Sequence, residues 1–204
     1  MKVSKEQVAA NRRALVRAAG RMFRERGIDG VGVAEISQRA GLTHGALYAQ
    51  FASKQDLAAE ALADGLARGH AQLTAAAAQA DAPLEALLDF YVSRRHRDDI
   101  VRCCAMVASA SEIARQDRRV SAELSRGLER LTATVAAALG PRVPAKDRRR
   151  RALAVVAGMV GGLVLARGTV KSDAHLSDEI LDSVRAALAD AGGVRKRLAG
   201  ALPD

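Results

Sequence analysis

The sequence predicts an all-α protein, and three observations carry that prediction. Apolar residues recur at spacings of three and four along most of the chain. Ala, Leu and Arg, all good helix formers, dominate the composition. Only five of the 204 residues are aromatic and none is Trp, a poor supply for sheets. Hydrophobic residues make up 49% of the chain, enough for a sizeable core.

The first helix is predicted over about Gln7 to Arg26, with Leu15, Ala18, Ala19, Met22 and Phe23 on its apolar stripe, and Gly27 stops it. Arg12 and Arg13 near its start either reach phosphates or line a solvated face. Next comes VAEISQRAGLTHGALYAQFASK, Val33 to Lys54. Val33, Ile36 and Ala40 share one face, and Gly41 stands where a left-handed residue ends a helix at little cost. Thr43 is placed to cap a second short helix whose Leu47 and Phe51 turn inward, leaving His44, Gly45, Ala46, Tyr48 and Gln50 for other faces. Two helices about a tight glycine turn make a helix-turn-helix at about 34–53, although an ordinary bend between packed helices has the same spacing.

Ser53-Lys54-Gln55-Asp56 opens the next helix in the manner of a capping box, with Asp56 able to answer the Ser53 amide. That helix runs as a connector to about Arg68, and Gly69 to Ala82 either extends it or begins another. A helix is predicted from Pro83 to about Arg97 with Leu84, Leu87, Leu88 and Tyr91 inward, then a loop near Asp98 and a helix from Ile100 to Arg115. Ser121 is placed to cap a longer helix ending at Gly140-Pro141, and PRVPAKD reads as a linker. From Arg148 a helix becomes almost wholly apolar between Ala152 and Leu165. Its Gly158, Gly161 and Gly162 each cost roughly 0.8 to 1 kcal/mol relative to Ala, so close approach of another backbone is expected there. The last helix is predicted to start at Ser177, stapled by Leu176 and Leu181, and to end at Gly192-Gly193 before a basic tail, VRKRLAGALPD.

The net charge is +9 and the isoelectric point is near 10.3, which suits a polyanionic partner or simply a GC-rich source genome. Residues 1–57 hold ten Lys or Arg against five Asp or Glu, so net +5 lies in little more than a quarter of the chain. The amphipathic, charged N-terminus is unlike a secretory signal, and no uncharged run reaches the roughly 18 residues of a membrane span. A cytoplasmic protein without a membrane partner is expected. Cys103 and Cys104 are adjacent and offer no disulfide framework, and no His or Cys group has metal-site spacing, so no metal or cofactor is expected. An enzyme is not expected either, because no Ser-His-Asp arrangement, phosphate loop or pair of catalytic carboxylates can be assembled.

The segment from about Asn11 to Leu66 resembles the TetR family of bacterial transcriptional repressors. Ala-Ala at 18 and 19, then MF, RERG, VAEIS, RAGLTHGALYAQF and SKQDL occur in that family's order and spacing. The resemblance implies a DNA-binding head at 1–68, a helical regulatory and dimerisation body at 69–204, and a homodimer that represses transcription. Its implied partners are double-stranded operator DNA, a second copy of the chain, and a small-molecule effector of unknown identity. By the same likeness Thr43, His44, Gly45, Ala46 and Gln50 would approach base edges, Tyr48 and Lys54 would contact phosphates, and Ala34 sits where some members read a base. Gly32, Ala49 and Gln50 depart from the family's usual residues. Gln50 suits adenine and His44 suits guanine, with phosphate or water equally open to both.

In the body, HRDDIVRCCAMVASASEIARQD resembles a subgroup whose sixth helix begins Gly-Cys-Pro, with Cys103 in place of the Gly and Ala105 in place of the Pro. Some relatives sense electrophiles through a cysteine there, and Arg102 is near enough in sequence to lower a thiol pKa. Two small buried side chains explain the pair more simply. Candidates for an effector pocket are Tyr91, His96, Cys104, Met106 and Met159, each of which also reads as plain core. The alternatives to an effector-released repressor are a thiol-based redox or electrophile-responsive repressor using Cys104 and, more distantly, a helical protein-interaction module.

Overall fold

The computed structural model describes residues 4–100 and 104–193, and among them it forms ten α-helices and no strand. The chain divides into two compact units, Met1–Gln72 with Asp98–Arg130, and Leu73–Arg97 with Leu131–Asp204.

The first unit is built around α1 (Lys5–Arg26), α2 (Val33–Arg39), α3 (His44–Tyr48), most of α4 (Lys54–Ala77), α7 (Ala105–Ile113) and the first part of α8 (Arg118–Ala138). Leu15, Ala19, Ile36, Leu47 and Leu57 are fully buried in it, and each large one contributes about 1.5 to 3 kcal/mol by leaving water. Gly27 (φ +79°) and Gly41 (φ +70°) end α1 and the α2 turn in the left-handed region, as their positions predict. Thr43 caps α3, its hydroxyl accepting the Ala46 amide at 3.3 Å. At the start of α4 the expected capping box takes another form. The Ser53 hydroxyl accepts the Asp56 amide at 3.1 Å and donates to the Asp56 carboxylate at 2.9 Å, so Asp56 answers the side chain and not the backbone amide. The helix absorbs the Ala-rich stretch as far as Ala77.

The second unit holds α5 (Pro83–Tyr91), α6 (Arg94–Asp98), the end of α8, α9 (Ala145–Thr169) and α10 (Ala174–Ala191). One predicted helix over 83–97 is in fact two. The Ser93 hydroxyl accepts the His96 amide at 3.2 Å, which restarts the chain as α6. Similar local acceptors move other boundaries. The Asp117 carboxylate takes the Arg119 amide at 2.8 Å, so α8 begins before Ser121. Asp173 takes the Leu176 amide at 2.9 Å, so α10 begins before Ser177. Leu176 is consequently exposed and makes no staple, while Ser177 is buried and donates to the Ala166 carbonyl at 2.7 Å. α9 starts at Ala145, and Arg148 inside it donates to the Ala136 and Leu139 carbonyls at the end of α8. α7 is shorter than the helix predicted over 100–115, and the expectations for Arg102, Cys103 and the tail from Val194 lie outside the described residues.

The buried Arg97 guanidinium donates to Ser177 Oγ at 2.9 Å and to Asp178 at 2.7 Å. Hydrogen bonds from Arg94 and Arg97 hold the Asp178 carboxyl below its ordinary value. α9 and α10 pack closely because a Cβ on Gly158 would lie 2.7 Å from Leu188 and one on Gly162 2.8 Å from Val184. By length and composition α9 is apolar enough to cross a membrane; here Val155, Met159, Leu163 and Ala166 are buried.

Candidate nucleic-acid interface

The short helix α3 is fixed from beneath and from its end. Leu47 is fully buried and Phe51, just past the helix, is 3% exposed. The Arg12 guanidinium lies 4.2 Å over the Phe51 ring, donates to the Gln50 carbonyl, and reaches Glu60 of α4 at 3.0 Å through Nε. One side chain from α1 therefore satisfies the backbone at the exit of α3 and ties three helices together. Of the two roles open to Arg12, phosphate contact or a solvated face, the geometry gives neither: its guanidinium binds inside the head, whereas Arg13 beside it is exposed.

Above this support, Thr43, His44, Gly45 and Tyr48 are exposed, Tyr48 by 50%. The His44 and Tyr48 rings meet edge-on with centroids 5.0 Å apart, so one aromatic orients the other on the outer surface. Ala46, Gln50 and Lys54 are half-buried, and Ala34 is exposed on α2. Gln38, one turn beyond Ala34 and also exposed, shares its face; the i,i+4 spacing was the signal that would have found it. The surface from Ala40 to Gln55 carries no carboxylate. Near the start of α2, Glu35 pairs with Arg26 at 2.7 Å, which holds its carboxyl below the ordinary value.

Two glycines on this surface have no conformational need to be glycine. Gly45 is helical and Gly32 is extended, and a Cβ on either would meet nothing within 4 Å.

The five body candidates are placed differently. In the second unit Tyr91 and His96 stack edge-on at 4.9 Å, the His96 Nδ1 lies 3.0 Å from the Tyr91 carbonyl, and Met159 is fully buried. In the first unit Met106 is buried, and Cys104 is half-buried at the N-cap position of α7. The same second unit has a cleft of about 470 Å³ between the start of α5 and the end of α8, lined by Pro83, Leu84, Glu85, Leu139, Pro141 and Arg142 among others. None of the five candidates lines it. Among the described residues no group of three His, Cys, Asp or Glu could hold a metal ion.

Comparison with known proteins bears on the family and the fold. The family described as bacterial regulatory proteins, tetR family, matches residues 15–61, which run from the middle of α1 through the first turns of α4. The HTH-type transcriptional repressor Rv1474c of Mycobacterium tuberculosis is 30% identical over 150 residues, 74% of this chain and 73% of that protein. Among solved structures, a TetR transcriptional regulator from Chloroflexus aurantiacus superposes with a TM-score of 0.75 at 21% identity, covering 91% of this chain and 95% of that one. The reduced form of NemR from E. coli gives 0.73 at 18% identity, covering 88% and 95%. At these identities the structural likenesses establish the fold alone.

Proposed function

Since the chain belongs to the tetR family of bacterial regulatory proteins, DNA-binding transcriptional regulators, we propose that it represses transcription as a homodimer and leaves its operator when a small molecule binds the helical body. The observation that carries the DNA-reading part is the outer side of α3: exposed, carboxylate-free and braced from within by Arg12. On this reading Thr43, His44, Gly45, Ala46 and Gln50 approach base edges, with Ala34 of α2 beside them. Tyr48 and Lys54 hold phosphates and fix the register. The protein works where its DNA is, in the cytoplasm.

Gly45 gives this assignment a test that a purely structural role fails. In open space a methyl there gains about 0.8 to 1 kcal/mol of helix propensity, yet it intrudes on a base edge that comes close. Gly45→Ala is expected to raise the unfolding midpoint and at the same time lower affinity for a duplex selected by the wild-type protein. Thermal unfolding and fluorescence anisotropy read the two effects. If both stability and affinity rise together, Gly45 does not face the groove.

Support for the dimer comes from α9. Leu153, Val164 and Leu165 are 37%, 43% and 59% exposed, and with Ala154, Ala157, Gly161 and Gly168 they occupy an arc of roughly 120° at 3.6 residues per turn. No charged residue enters that arc between Leu153 and Gly168. Unlike Gly158 and Gly162, Gly161 and Gly168 meet nothing within 4 Å of a built Cβ, so close approach by a second chain explains them. On this reading α9 and α10 of two chains pair, and the two α3 helices enter successive major grooves about 34 to 36 Å apart, one turn of DNA. An effector releases DNA only by binding the body better in a different spacing.

A second reading makes Cys104 a redox or electrophile sensor. Its thiol is only half-buried, at the N-cap position of α7, so a reagent can reach it. Cys104→Ser is then expected to abolish release of DNA by an alkylating or oxidising agent; unchanged release makes the thiol structural.

A further inference from the structure

We infer that the corner between α7 and α8, residues 112–119, is a clamp that sets the pose of the DNA-reading helices, with Glu112 as its positioning residue. The loop that delivers the chain from α1 to α2 has glycine at 27, 30 and 32, so three of its six residues place little restraint on the backbone. Ile28 and Val31 anchor it in the core. Between them the Asp29 amide donates to Glu112 Oε1 at 2.9 Å. Both carboxylate oxygens of Glu112 lie 3.1 Å from where a Cβ on Gly27 would stand, and Gly27 is already at φ +79°. The backbone angle favours glycine here, and the carboxylate sits against the face a side chain would take.

The same corner holds the other end of the helix-turn-helix. Gln116 donates from Nε2 to the Asp29 carboxylate at 3.1 Å, and its Oε1 accepts from Gln55 Nε2 at 2.9 Å. One amide therefore joins the entrance to α2 with the first turn of α4. Arg119 adds an ion pair to Asp56 in that turn. α7 itself packs on α1 and α4 through small residues, a Cβ on Gly65 lying 3.0 Å from that of Ala105.

This rests on the DNA-binding reading above, and the test separates the two. Full-length wild type, Glu112→Ala and Glu112→Gln are titrated with a duplex selected from random DNA by the wild-type protein and with an unrelated duplex of equal length. Glu112→Ala is expected to lose about tenfold on the selected duplex, the change a charge-assisted hydrogen bond corresponds to. It should lose little on the unrelated one. Glu112→Gln, which keeps an acceptor for the Asp29 amide, should stay close to wild type. Wild-type affinity in Glu112→Ala, or equal losses on both duplexes, overturns the clamp. Wild-type protein that retains no duplex overturns the DNA reading instead.

Discussion

Leu165→Asp is expected to turn the dimer into monomers and to lower operator affinity by at least about a hundredfold, the avidity lost when two linked readers become one. Leu165 is the most exposed large apolar residue of α9 at 59%, in an arc that holds only Leu, Val, Ala and Gly from Leu153 to Gly168. An aspartate there must be desolvated if a second chain packs against it, and the two copies of an isologous interface bring two such charges together. Because the side chain is exposed in the single chain, folding should be almost unaffected, which far-UV circular dichroism checks. Sedimentation equilibrium reads the mass. A Leu165→Asp protein that remains a dimer at micromolar concentration places the interface elsewhere.

Tyr48→Ala and Lys54→Ala are each expected to weaken DNA binding about tenfold, but with different signatures. Lys54→Ala should act almost equally on all duplexes and flatten the dependence of log affinity on log salt by about one. Tyr48→Ala removes the ring that meets His44 at 5.0 Å. Besides weakening binding, it should relax discrimination at the base pair His44 reads, where a good contact is worth about 1 to 3 kcal/mol. Titrations at several salt concentrations against single-base variants distinguish these outcomes. An unchanged salt slope in Lys54→Ala removes that residue from the phosphate contacts.

The helix-turn-helix was legible in the sequence because its determinants are local. Gly41 and Thr43 act within three residues of themselves, and the inward positions Ile36, Leu47 and Phe51 follow helical spacing. Boundaries decided by a single side-chain acceptor were harder to read. Ser93 divides one predicted helix into α5 and α6, and Asp173 starts α10 early, each by one hydrogen bond among many equally plausible capping residues. What could not be read at all acts over long sequence separations. Arg12 read as a phosphate contact or a solvated side chain, and its actual partners lie 38 and 48 residues away. Glu112 carries no sign of a role in the head, because its partner lies 83 residues upstream. The glycines of α9 divide the same way, with Gly158 and Gly162 explained by α10 and Gly161 left facing outward. An effector site stayed illegible for a physical reason: Tyr91, Met106 and Met159 fill a core as well as they would line a pocket.

Selecting bound duplexes from random DNA with the full-length protein at low salt tests the central claim most directly. A dimeric reader predicts two inverted half-sites with centres about 10 to 10.5 base pairs apart, each dependent on His44 and Gly45. Retention of no duplex, or enrichment of a single half-site bound by one chain, contradicts it.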